Sequence, residues 1–340
     1  MPALPRLIDA SGQPCYGLFP DGVEEINYQD FDLRTVMDKP RSQLARRFGA
    51  NQFQFISLLS SELIVGVAIV DLKLVSSAFV YLFDPHTRRF DEFSFLQPLA
   101  RGTTFDSRPG SGRAVFEKGR NRITVDAAGE AGVRQLLVEL ADGTRIDARI
   151  DEGASQQPLS ICTRAGYTGW VFTRKTAARV CTGSVSWRGQ QFDLRQLGAL
   201  AAVDWTTGFM RRETFWNWGS LSCRLPDGRR LGFNLAAGVN ETGFTENGIW
   251  LDDQLIKVDM VDFQFDRAKP LAPWQLRSAD GQVDLQFEPA GTRQEKLNAL
   301  LLASNFKQHF GQFSGELRIA GETLTLDGAW GLVEDHYARW

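Results

Sequence analysis

The chain is short of the residues from which most reactive sites are built. Three histidines, His86, His309 and His336, and four cysteines are spread over 340 residues. No two histidines share a ligand spacing such as H-x-H or H-E-x-x-H, and no cysteine pair completes a zinc site, so no metal centre is expected. Cys15, Cys162, Cys181 and Cys223 show no C-x-x-C spacing. They are expected to be reduced structural thiols of a cytoplasmic protein, with cross-linked pairs as the alternative. The phosphate loop G-x-x-x-x-G-K-[ST], a strand-linked G-x-G-x-x-G and the G-x-S-x-G nucleophile elbow are missing. Their absence argues against standard nucleotide cofactors and against an α/β-hydrolase nucleophile.

Charge of one sign is also lacking. Lys and Arg number 38 and Asp and Glu 41, a net charge of −3. That leaves no basic face for nucleic acid. A long hydrophobic run is missing too. The best candidate, Phe55 to Val75, is interrupted by Glu62 and Asp71, whereas a spanning helix needs about 20 nearly unbroken apolar residues. A pair of buried strands is the better reading, with no transmembrane segment. The first residues carry no apolar run behind a basic start, so no secretion leader is expected. The length suggests about two domains.

What is present reads as strands. Asp142-Gly143, Asp227-Gly228, Asp280-Gly281 and Asn247-Gly248 are pairs that tolerate positive φ at both centres of a hairpin turn. Around them, segments such as Val133 to Ile150 alternate apolar and polar residues, the mark of a half-buried antiparallel strand. Helical signals are confined to Lys39–Phe48, and Arg293–Ser304 reads equally as helix or strand. Many short strands with glycine-rich turns give an all-β chain of sandwiches or barrels.

Thr182–Leu194 repeats as Ser314–Leu326. Gly183, Gly189 and Leu194 match Gly315, Gly321 and Leu326, each 132 residues on. After a one-residue slip, Asp204 and Trp205 fall opposite Asp335 and His336. A duplication predicts two similar antiparallel units, 1–210 and 211–340. Closing each unit removes exposed strand edges.

The stretches Phe215–Trp250, Val283–Gly291, His309–Glu322 and Val333–Trp340, with Gly17–Phe31 and Leu63–Asp84, resemble the family known as domain of unknown function 2804. More distantly, the hairpin with an Asp/His-Trp tail is similar to a double-lipocalin-like group that includes carotenoid 1,2-hydratases and bacterial cyclases. That resemblance implies two tandem antiparallel lipocalin-like barrels or sandwiches with very few short helices, and an apolar ligand. In the group, Asp-His precedes Trp-Gly. Here Trp330-Gly331 precedes Asp335-His336, which puts a transfer of catalytic roles in doubt.

The remaining polar and aromatic residues supply the candidates. Strand geometry puts Trp216 and Trp218 on one face near the proposed junction and Asn217 on the other. They form either a core face or the wall of a cavity, together with Trp205. The glycine-rich connection Asn234–Gly248 gathers Asn240 and Glu246. In "EDHYARW", Glu334 and His336 share a strand face, and a carboxylate beside an imidazole is a proton-transfer pair when the histidine titrates near neutral pH. His309 is a further candidate for the same cavity. The acids and bases to test are Glu213, Glu246, Glu334 and His336. The ligand-contact candidates are Trp205, Trp216, Asn217, Trp218, Asn240 and His309.

Two functions fit. One is a cofactor-free lyase, hydratase, isomerase or cyclase acting on an apolar small molecule, isoprenoid or polyketide-like, through a buried carboxylic acid. The other is a non-catalytic carrier for a lipid or hydrophobic metabolite. An ionisable pair inside the cavity discriminates between them.

Overall fold

The computed structural model describes residues 3–153, 155–238, 244–299 and 302–340. Short Asp-Gly turns set its strand pairings, with positive φ at the glycine but not at the aspartate expected to share it, because Leu140 pairs with Thr144 and Leu225 with Arg229 across three-residue loops. Asp142-Gly143 joins Val133–Glu139 to Arg145–Asp151, Asp227-Gly228 joins Glu213–Arg224 to Arg230–Ala237, and Asp280-Gly281 joins Trp274–Ser278 to Val283–Ala299. Every second residue of Val133–Glu139 is buried, as the alternation requires. Asn247-Gly248 is not a turn. Asn247 is wholly buried, its side chain accepts from the Ala236 N–H and donates to the Asp259 carbonyl, and Gly248 opens the strand Gly248–Leu251. Asp252, at φ 53°, makes that hairpin's turn instead.

Among the described residues the strands form two large curled antiparallel sheets, each a half-barrel. The first has 14 strands. Its centre runs Phe90–Pro98, Val75–Phe83, Ile64–Asp71, Asn51–Leu59, Leu200–Phe209, Gly169–Trp187. The second has nine, ordered around Arg230–Ala237, Glu213–Arg224, Glu322–Arg339, Leu302–Ile319 and Val283–Ala299. The run from Phe55 therefore supplies two buried strands, and no helix of the described residues is long and apolar enough to cross a membrane. Of the segment 293–304, residues 293–299 and 302–304 are strand.

The helix runs Gln43–Gly49, four residues later than Lys39. Ser42 caps it by accepting from the Ala45 N–H at 3.2 Å, while Pro40 is held in an isolated bridge to Arg34.

The repeated hairpins are alike in detail. Arg188-Gly189 and Ala320-Gly321 both turn with positive φ, at 52° and 75° against 52° and 80°. Gly183 and Gly315 also have positive φ and press against a neighbouring strand. A Cβ there would meet the carbonyl oxygens of Asp147 and Asp284 respectively, at 2.0 and 2.4 Å. Only glycine fits such a backbone approach.

Each half-barrel holds its own apolar core, one around Val65, Val80, Phe116 and Ile146, the other around Phe233, Phe287 and Phe313. A third cluster joins the sheets. Phe55, Tyr81 and Phe83 of the first pack on Trp218, Phe310 and Leu332 of the second. On the same strands, seam residues such as Phe55, Tyr81 and Leu332 alternate with core residues such as Ile56, Val80 and Val333, so the seam joins the faces turned away from the two cores.

Candidate active site at the seam of the half-barrels

Between the sheets lies a cavity of about 200 Å³. The first sheet gives it Phe53, Phe55, Ala68, Val70 and Phe79, and the second Trp216, Trp218 and Phe306, so its walls are mainly apolar and aromatic. Register explains which polar groups join them. Glu334 stands between Trp218 and Gln308 on the neighbouring strands, and His336 between Trp216 and Phe306. Residues level with each other across a ladder face the same way. The rows Trp218–Glu334–Gln308 and Trp216–His336–Phe306 therefore present one acid, one amide and one imidazole among three rings.

Glu334 is 9% exposed. Burial pushes its carboxyl up to about 8, and the charge of Asp204 from the opposite sheet adds to the rise. Lys175, a hydrogen bond from Trp216 and Arg293 pull the other way without reversing it. Glu334 is therefore mostly protonated at neutral pH.

His336 behaves differently from the sequence expectation. Burial, then the Arg293 charge, pushes it down to about 3 against the pull of Asp335, so it is neutral across the physiological range. Its Nε2 is hydrogen-bonded to Ser304 Oγ at 3.0 Å, while Nδ1 is buried and has no hydrogen-bond partner. Trp216 packs edge-on to the imidazole at 4.2 Å, and Phe306 at 4.8 Å.

A buried ion cluster sits opposite. Lys175 Nζ pairs with Asp204 Oδ2 at 2.7 Å and Glu246 Oε2 at 3.2 Å. Burial alone works against the Lys175 charge, but Asp204 and Glu246 outweigh it and raise the pKa. Thr206 also donates to Asp204, at 3.1 Å. On the far wall Arg293, 1% exposed, is layered between Phe79 at 3.9 Å and Phe306 at 4.8 Å, and its guanidinium reaches Glu92 of the other sheet at 3.1 Å.

The structure thus brings together five of the residues singled out as lining candidates or acids and adds others. Trp216, Trp218, Glu246, Glu334 and His336 all face the cavity. Glu213 does not. It is exposed at the start of its strand, where the sheet opens to solvent. Trp205 points through the other side of its sheet and packs against Phe172 and Phe105, because Asp204 and Thr206 take the cavity face. Asn217 also faces away, donating to the Glu334 carbonyl and to Asp335 Oδ1, each at 3.3 Å. His309 is 1% exposed on that same side of the sheet, level with the core residue Val333, paired with Thr292 Oγ1 at 2.7 Å and tilted against Trp274, and burial lowers it to about 4. Asn240 lies outside the described residues.

Sequence reasoning missed Lys175, Asp204 and Arg293. Asp204 carried a usable signal, a charge in the middle of an otherwise apolar strand, whereas Lys175 follows Arg174 and reads as part of a basic run. Arg293 sits among charged neighbours and reads as surface. The repeat also misled by one residue. Its alignment set Asp204 against Asp335, whereas Asp335 turns outward to Arg267 at 2.9 Å and Glu334 faces the cavity with Asp204. Among the described residues there is no cluster of His, Cys, Asp and Glu fit for a metal.

The sequence profile of the family described as domain of unknown function (DUF2804) matches residues 6–340. No curated protein matches the sequence. Among solved structures the chain is similar to CghA, at 10% identity, 98% of this chain, 97% of that chain and a TM-score of 0.59. It is also similar to CghA crystallised with Sch210972, at 9% identity, 84% and 88% coverage and a TM-score of 0.57. Kievitone hydratase from Nectria haematococca aligns at 12% identity, 84% and 88% coverage and a TM-score of 0.47. At these identities, the two CghA structures share this chain's fold.

Proposed function

We infer that this chain, which belongs to the family of domain of unknown function 2804, takes an apolar small molecule into the seam cavity and transforms it by proton transfer from Glu334. The observation that carries this reading is a carboxylic acid held protonated at neutral pH inside a cavity walled by aromatic rings. Such an acid can protonate a weakly basic carbon or carbonyl oxygen that water leaves untouched. The likeness to CghA, crystallised with a small organic molecule, supports a ligand in this fold.

In the reaction we propose, the Glu334 O–H proton passes to a double bond, leaving a cation on the substrate and a carboxylate on the protein. Trp216, Phe306 and Phe79 turn rings toward the cavity, and their π-faces stabilise the positive charge. In a hydration, a water in the cavity adds to the cation and returns its proton to Glu334. In an isomerisation or cyclisation, the cation loses a proton from another carbon to the same carboxylate. Either route closes the cycle with no redox change. His336, whose pKa burial and Arg293 hold down to about 3, is too weak a base to compete for the proton.

The test uses an apolar extract of cells incubated with the protein in heavy water and followed by untargeted mass spectrometry. Wild type should place deuterium from solvent into one apolar compound, and Glu334→Gln should not. A compound that co-purifies with wild type and is returned unchanged, without deuterium, would replace this reading by a carrier role.

A further inference from the structure

We propose that the end of the first half-barrel that opens onto the cavity docks on the surface of an anionic lipid bilayer, from which the apolar substrate enters. The argument rests on the apolar-substrate reading for its purpose, and on the surface itself for its evidence.

The cavity reaches the edge of the molecule at one end of the sheets. Leu72, Val75 and Leu96 line it there from the first sheet, Met210 and Trp340 at the strand ends beside it, and Leu297 and Leu302 from the long second-sheet hairpin. Beyond this mouth the same end is apolar in an unusual way. Leu74 is 54% exposed in the turn after Ile64–Asp71, and Leu99 is 61% exposed where it hydrogen-bonds back to Leu74. The helix Gln43–Gly49 leads into the first residue of Asn51–Leu59 at this end, with Gly49 against the Phe209 ring. It exposes Leu44 and Phe48, one turn apart, and the preceding loop exposes Val36 and Met37, the last at 75%. Six large exposed apolar side chains at one end of a sheet exceed the scattered singles of an ordinary surface.

Charge chooses the partner. Residues 32–48 hold Arg34, Lys39, Arg41, Arg46 and Arg47 against Asp32 and Asp38, a net of +3 in a chain whose total is −3. A short helix with exposed Leu and Phe among arginines is the pattern of a segment that lies in a lipid headgroup layer. Positive side chains beside it are attracted to anionic lipids, whereas a neutral apolar protein partner would gain nothing from them. Trp340 at the mouth is an interfacial residue type.

The experiment is co-sedimentation of the full chain with vesicles of phosphatidylcholine containing phosphatidylserine, and with phosphatidylcholine alone. Wild type should pellet with the anionic vesicles and be released by high salt. Leu44→Glu/Phe48→Glu and Arg41→Glu/Arg47→Glu should each weaken that binding by roughly tenfold or more. All four side chains are exposed, and an unchanged melting temperature shows that each variant is folded. Glu334→Gln should bind vesicles like wild type, so loss of turnover and loss of docking are separate results. Wild type that stays in the supernatant with anionic vesicles, or variants that pellet undiminished, would overturn the proposal.

Discussion

Asp204 and Glu334 come from different half-barrels, and the Asp204 charge raises the cost of charge on Glu334 inside one cavity. Asp204 is neutralised by Lys175 at 2.7 Å, whereas Glu334 has a hydrogen bond from Trp216 and the more distant pull of Lys175 and Arg293. The asymmetry assigns the proton: one carboxylate is bound in an ion cluster and the other is a neutral acid. It follows that Asp204→Asn should bring the Glu334 pKa down from about 8, by removing the repulsion while leaving burial in place. Infrared difference spectroscopy of the protonated carboxyl band, titrated from pH 5 to 10, reads this directly. A band that loses its intensity near the ordinary glutamate value in wild type would contradict the assignment, and its absence in Glu334→Gln identifies the residue.

The same groups shape stability against pH. Glu334 rises from an ordinary 4.5 to about 8, so its contribution is fully present below pH 4.5 and is lost as pH rises to about 8. His336 falls from 6.5 to about 3, so its contribution is present above pH 6.5 and is lost as pH falls to about 3. Between 4.5 and 6.5 the two slopes oppose each other. Melting temperatures should therefore fall on the alkaline side because of Glu334, and Glu334→Gln should flatten that limb, gaining up to ~5 kcal/mol at pH 9 relative to wild type. His336→Gln should flatten part of the acid limb only. Equal alkaline slopes in wild type and Glu334→Gln would rule out the buried acid.

Much of the fold is legible because its information is local. Asp-Gly turns and alternation in segments such as Val133–Glu139 set pairing without reference to the rest of the chain. The site is legible only where a strand face carries it. Trp216 with Trp218, and Glu334 with His336, follow from parity along one strand. What parity cannot supply is the facing sheet. Trp205 looked like a wall residue, yet its neighbours Asp204 and Thr206 hold the cavity face. Arg293 is made a site residue by Phe79 and Glu92, more than 200 residues away. The titration of His336 is likewise a property of burial, which its neighbours in sequence do not announce.

Arg293 should tolerate no conservative replacement. Its flat guanidinium lies between two aromatic rings and pairs with Glu92 and Glu295, at 3.1 and 2.8 Å. A lysine offers a point charge without a planar face, so Arg293→Lys should lose both the stacking and the fork geometry. The expected loss is ~2–4 kcal/mol, from a buried charge left poorly paired, measured by urea unfolding. A loss under ~0.5 kcal/mol would mean that the stacked pair carries little of the seam.

Lys175 provides the sharpest test of the ion cluster, because its one ammonium bridges Asp204 and Glu246. Lys175→Met keeps the stem's volume and removes the charge that pairs with both buried carboxylates. Removing one member of a buried pair costs ~3–5 kcal/mol, most of it from the stranded partner. The second variant separates this from lost packing. Lys175→Met/Asp204→Asn removes a stranded charge and should recover part of the loss, so the two changes are non-additive in a double-mutant cycle. The cycle also reports on Glu334. With Lys175 gone its pKa should rise further, since Lys175 lowers it in wild type, and adding Asp204→Asn should bring it back down. Additive stabilities with no movement of the Glu334 carboxyl band would separate the cluster from the acid and leave Asp204 a purely structural role.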